Sequence, residues 1–118
     1  MVPSPEAHLP LNPRVFALLL ALSEGPAHGY AMKQAAEDRA QGSLRLDAGS
    51  LYRHLSRLVD DGLVEECEPP PETDADARRR YYQLTAPGRE VLAAEAARLE
   101  DLVELARSRR LLGGRSRA

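Results

Sequence analysis

The densest apolar stretch of the chain comes early, running without a break from Val15 to Leu22. It is hydrophobic nearly all round and predicts a buried first helix. Asn12-Pro13 opens that helix, a capping residue ahead of a proline suited to the first helical position. Leu11 and Phe16 occupy the two positions of a hydrophobic staple. Gly25-Pro26 stops the run. A second, less apolar helix is predicted over Gly29 to Ala40, with Gly42 as its end. Ser43 to Leu46 alternate and predict one minimal strand. Asp47 then caps a third helix whose apolar stripe is Leu51, Leu55, Leu58 and Val59. Gly62 stands where a left-handed cap is wanted, and Leu63 is placed to fold back onto Leu58.

Beyond it, Leu63 to Glu68 and Arg79 to Leu84 flank the segment PPPETDADA. Two short extended segments around a polar, proline-rich loop predict a β-hairpin with a long tip. Alternation places Arg78 and Arg80 on one face and Arg79 on the other, and lets only one of Tyr81 and Tyr82 face the core. Thr85 caps a final helix running to about Leu112, with Pro87 tolerated in its first turn. Leu92, Ala96, Leu99, Val103 and Ala106 recur along it at 4-3-4-3 spacing. That is the seam of a helix-on-helix interface, widened by Leu102 and Leu105. The competing reading is an intramolecular core helix.

The order of elements is helix, helix, short strand, helix, hairpin, long helix. A helix-turn-helix followed by a hairpin is the winged-helix arrangement, so the fold class is mainly α (α+β) with a long C-terminal dimerisation helix. The expected divisions are a loose N-terminal arm at 1–10, a winged-helix domain at 11–85, the dimerisation helix at 86–112 and a flexible tail at 113–118.

Composition narrows the function. At 118 residues the chain suits one domain, and with four Tyr, one Phe and no Trp its core must come from Leu, Val and Ala. Cys67 is the only cysteine, which rules out an intramolecular disulfide. No apolar run reaches membrane-spanning length and no leader pattern opens the chain, so a cytoplasmic location is expected. Sixteen basic and eighteen acidic residues give a net charge of −2, mildly against nucleic acid as a partner. The distribution points the other way, since Arg45, Arg53, Arg57 and Arg78 to Arg80 cluster mid-chain.

Catalysis finds no footing. Asp47, Ser50 and His54 share one helix and its cap, with no strained turn to present a nucleophile. The histidines show no ligand spacing with Cys67 or each other, and no glycine-rich phosphate loop occurs, so no metal and no cofactor are expected.

Two stretches carry a family likeness. LLLALSEGPAHGYAMKQ, and DAGSLYRHLSRLVDDGLVEE together with RRRYYQLTAPGREVL, resemble in order the corresponding motifs of the PadR family. The tyrosine pair with its flanking arginines and Leu-Thr is the most specific element. The resemblance spans about Leu18 to Leu92. It implies a winged-helix homodimer, joined largely through the C-terminal helix, that represses transcription from palindromic operators. Some members of the family answer to small hydrophobic or phenolic effectors. The chain departs from the pattern in its long acidic wing tip and in Arg53, where the family often has proline.

Within that frame the third helix becomes the reading element. Arg53 and Arg57 lie off the leucine stripe, where arginine reaches guanine edges or phosphates. Ser50 is placed for a phosphate near the helix N-terminus. Tyr52 reads two ways, as core packing with a polar rim or as a phosphate hydrogen bond. Arg78 and Arg80 are placed to track phosphates from the wing. The partners expected are double-stranded operator DNA and a second copy of the chain meeting at Leu92, Ala96, Leu99, Leu102, Val103 and Ala106. The alternative, a winged helix that binds only proteins, stays open on the net acidity.

Overall fold

The computed structural model describes residues 4–71 and 79–112; Arg78, most of the hairpin tip and the basic tail lie outside them. Its elements are α1 (Pro13–Leu22), β1 (Ala27–His28), α2 (Gly29–Arg39), α3 (Ala48–Asp60), β2 (Val64–Cys67), β3 (Tyr81–Leu84) and α4 (Ala86–Ser108). The strands form one antiparallel sheet in the order β1-β3-β2. This is a small sheet closing a helical core, the α+β winged helix.

Local chemistry sets the helix starts. The Asn12, His28, Asp47 and Thr85 side chains each accept a backbone N–H from the first turn they precede. Leu18, Leu19 and Leu22 from α1 meet Met32 and Ala36 of α2 and Leu51, Leu55 and Leu58 of α3 in one buried cluster. Leu63, Val64, Tyr82 and Leu84 close it from the sheet side, and Val91 and Leu92 close it from α4. Each buried leucine contributes roughly 1.5–3 kcal/mol.

The turn after α3 fixes where the wing and α4 begin. Leu63 donates its N–H to Leu58 O at 3.0 Å and Gly62 donates to Val59 O at 3.0 Å. Gly62 takes the left-handed φ of 78° that this double bond requires. Thr85 fastens α4 to the same turn, its hydroxyl donating to Gly62 O at 2.6 Å and its N–H to Leu63 O at 3.1 Å. Gly88 lies so close that a Cβ there would stand 2.0 Å from Leu63 O.

Several expectations are corrected. Residues 43–46 form no strand; the third strand is β1, with Ala27 opposite Tyr82 and His28 opposite Tyr81. Side chains take over the loop's backbone groups instead. Leu46 N–H donates to Glu37 Oε2 at 2.8 Å, and Arg14 Nε donates to Arg45 O at 2.9 Å. The Leu46 bond and the nearby Lys33 ammonium hold the Glu37 carboxyl below its ordinary pKa.

Tyr81 and Tyr82 are both buried: Tyr82 joins the core cluster, and Tyr81 packs edge-on to His28 with ring centroids 5.5 Å apart. Helix α4 ends at Ser108, short of Leu112. Arg110 adopts φ 63° and Leu111 N–H donates to Ala106 O at 3.0 Å, so the chain turns off ahead of the glycine pair.

The expected loose arm is also ordered in part, since Pro5–His8 make a turn of 3-10 helix against α4. Leu11 N–H donates to Glu95 Oε2 at 3.0 Å, and Arg98 grips both oxygens of that carboxylate at 2.6 and 2.9 Å. Glu95 is only 2% exposed. The bidentate Arg98 bond, helped by Leu11, outweighs burial and holds its carboxyl below the ordinary range.

The apolar stripe of α4 splits in two. Leu92, expected in the intermolecular seam, is 8% exposed and belongs to the chain's own core. Past Leu99 the helix leaves the globule, and Leu102, Val103 and Leu105 are 49%, 42% and 49% exposed. No helix among the described residues is long and apolar enough to cross a membrane.

Candidate nucleic-acid interface

Helix α3 sorts its residues by face. Leu51, Leu55 and Leu58 are sunk in the core, which turns Gly49, Tyr52, Arg53, Ser56, Arg57 and Asp60 outward along a shallow open groove. Asp47 Oδ1 accepts Ser50 N–H at 2.7 Å and sets the helix start. Arg53 Nη2 donates to Ser50 Oγ at 3.2 Å, folding back over Gly49. Arg57 is more extended, with Nε 3.6 Å from Asp61 Oδ2. Tyr52 is half exposed and seated on the first residue of α2, where a Cβ on Gly29 would stand 3.0 Å from its Oη. Its ring packs on Gly29 while about half of the residue stays open to solvent.

Beside Tyr52 opens a cleft of about 550 Å³ lined by His28, Tyr30, Tyr52, Arg79, Arg80 and Tyr82. It joins three elements: the start of α2, the outer face of α3 and the approach to β3. Gln34 Nε2 donates to Tyr30 Oη at 2.7 Å, so the Tyr30 hydroxyl keeps its own proton to donate. Arg80 Nη1 lies 3.3 Å from Glu66 Oε2. Arg79 Nη1 lies 2.8 Å from His28 Nε2.

Ser50, Tyr52, Arg53 and Arg57 thus come together on one surface, and Arg80 reaches its edge. Arg78 falls outside the described residues. Arg79, expected on the opposite face from Arg80, lines the same cleft. The pleat that would alternate them begins only at Tyr81, so the period of two does not govern residues 79 and 80. The sequence marked Arg79 as part of the basic run, but alternation set it on the face away from Arg80. His28 and Tyr30 stood in the HGY motif, but their convergence with the wing needed the strand pairing of β1 with β3.

The electrostatics are lopsided. Arg53, Arg57, Arg79 and Arg80 gather around the tyrosines, whereas Asp60, Asp61, Glu65 and Glu66 follow from the end of α3 into β2. Half-buried His54 adds no charge at neutral pH, because burial first and then Arg53 and Arg14 lower its pKa. Burial, Glu65 and Glu68 raise the Cys67 thiol, which keeps it protonated and unreactive. Among the described residues no cluster of His, Cys, Asp or Glu fits a metal ion. A helix with outward arginines beside a cationic, tyrosine-lined cleft offers donors to base edges and to phosphate oxygens at once.

Comparison with known proteins agrees with this geometry. The family model for "Transcriptional regulator PadR-like family" matches residues 18–94. An uncharacterised 37.1 kDa protein in transposon Tn4556 of Streptomyces fradiae is 41% identical over 85 residues, which cover 72% of this chain and 22% of that protein. The chain therefore spans about a fifth of that relative's length. A PadR-like transcription factor from Bacteroides fragilis shares 28% identity at TM-score 0.63, covering 80% of this chain and 86% of its own. Bacillus subtilis PadR, solved in complex with operator DNA, is similar in fold at 21% identity and TM-score 0.55, over 68% of this chain and 44% of that one.

Proposed function

This chain belongs to the PadR-like family of transcriptional regulators, and from that premise we propose that it represses transcription as a homodimer on a palindromic operator. Regulators of this kind act by binding and are not enzymes. The observation that carries the reading is the outward face of α3, where Arg53 and Arg57 project from a leucine-anchored helix next to the arginine-lined cleft. Such a helix fits the major groove, and the wing beside it meets the flanking backbone.

The dimer rests on α4. Leu102, Val103 and Leu105 stand bare on the part of the helix that leaves the globule, with Leu99 and Ala106 half-buried beside them. Burying a few leucines per chain, at roughly 1.5–3 kcal/mol each, offsets the cost of association. A two-fold pair then places its α3 helices about 34–36 Å apart, or a multiple of it, so the operator is an inverted repeat.

Selection of bound fragments from a random DNA pool, with sedimentation equilibrium of the protein, tests both parts. Inverted repeats and a dimer at micromolar concentration are expected. Leu102→Asp should yield monomers with much weaker operator binding and an unchanged circular dichroism spectrum. A monomer that binds single half-sites tightly ends the dimer reading. The second reading, a winged helix that binds only proteins, draws on the acidic flank of Asp60, Asp61, Glu65 and Glu66. Failure to retain any duplex at low salt would favour it.

A further inference from the structure

The His28 ring is surrounded by donors. Its Nδ1 accepts the Ala31 N–H at 3.1 Å, which caps α2. A neutral imidazole accepting at Nδ1 carries its proton on Nε2. Yet Nε2 lies 2.8 Å from Arg79 Nη1, which is also a donor. The other tautomer only moves the conflict, because Nε2 would then accept from Arg79 while Nδ1–H faced the Ala31 N–H and uncapped the helix. One ring cannot satisfy both neighbours. An oxygen anion that accepted from both would relieve two donors set at hydrogen-bond distance.

The surroundings suit such an oxygen. Tyr52 Oη and Tyr30 Oη open onto the same cleft as His28 and Arg79. Gln34 donates to the Tyr30 oxygen, which leaves the Tyr30 proton to donate elsewhere. Gly29 lets Tyr52 lie close over the start of α2, since a Cβ there would press on the ring at 3.0–3.3 Å. The first N–H groups of the 11-residue α2 add a favourable field at the same end.

We propose that His28, Arg79, Tyr30 and Tyr52 form a seat for one backbone phosphate of the bound duplex, with His28 serving both as the cap of α2 and, through Nε2–H, as a phosphate donor. The inference rests on the DNA-binding reading and deepens it. His28 and Arg79 lie on different elements from the α3 arginines, so this phosphate anchors α2 and the wing at one point and sets the angle at which α3 enters the groove.

Two substitutions separate the roles. His28→Asn keeps a capping acceptor at the start of α2 but removes the distant donor. Arg79→Ala removes the charge from a residue outside the core. Binding to a random duplex is measured against salt concentration for the parent, each variant and the double variant, with circular dichroism to confirm the fold. Each single change is expected to weaken binding roughly tenfold. Arg79→Ala should also lower the slope of log affinity against log salt by about 0.9, while His28→Asn, which removes no charge, should leave it unchanged.

Because both residues hold one phosphate, the double variant should lose clearly less than the sum of the two. The His28 ring nitrogens, followed by NMR, should show an Nε2–H tautomer that shifts on adding duplex and not on adding millimolar inorganic phosphate. Additive losses, an unaltered slope, or an equal response to inorganic phosphate overturn the seat while the parent's duplex binding stands. A parent that binds no duplex at low salt overturns the seat together with the reading beneath it.

Discussion

Arg53 and Arg57 owe their position to residues that never leave the core. Leu51, Leu55 and Leu58 decide which way α3 faces, and the two arginines take what remains. Neither packs on the leucine stripe, so Arg53→Ala and Arg57→Ala should leave the circular dichroism spectrum intact. Each should weaken operator binding by about 1–3 kcal/mol if it meets a base edge, as read by titration of the selected operator. Unchanged affinity in both would move the reading surface off α3. Residues whose partners are close in sequence were legible from the start, among them the caps Asn12, Asp47 and Thr85. Residues defined by distant partners were not. Nothing near Glu95 in the sequence sets it apart from the other acids of α4, and only Leu11, 84 positions away, gives its burial a purpose.

At the scale of elements, period and capping located all four helices and the hairpin. One error arose where side chains substituted for a backbone partner. Residues 43–46 have the alternation of a strand, but Glu37 and Arg14 satisfy their backbone groups and no neighbouring strand is needed. Strand β1, only two residues long, is too short to show any period. The junction of α4 with the turn after α3 is the tightest contact between elements. Gly88→Ala drives a methyl into Leu63 O, with backbone on both sides and little freedom to yield. A loss of about 3 kcal/mol is expected, the upper end for overpacking. Thermal unfolding should show a midpoint roughly 10 °C lower, and an unshifted midpoint would mean that α4 is free to slide on its seat.

The described part of the molecule measures 51 × 37 × 27 Å, drawn out by a 23-residue helix of which only the first half packs on its own core. The 4-3-4-3 pattern of α4 is continuous in sequence, and nothing in its period marks the point where the globule ends. That is why Leu92 looked equivalent to Leu99. Near that point the buried Glu95 ties the N-terminal segment to α4. Its carboxyl pKa is lowered from an ordinary 4.5, so the anion stabilises the fold fully above that value, and the contribution is lost as pH falls through the lower folded value. Glu95→Gln should therefore lower the melting temperature at neutral pH. The gap from the parent should close as the solution is acidified below the ordinary value of 4.5, and a gap that stays constant would show that the ion pair does not govern acid stability. The clamp of Gly62, Leu63, Thr85 and Gly88 has a further consequence for the proposed dimer. By fastening the start of α4 to the end of α3, it would make the proposed pair, joined through α4, a rigid gauge of rotational phase. One base pair inserted between half-sites of the proposed operator would turn the far one by about 35°, a twist such a pair could follow only by deforming the duplex.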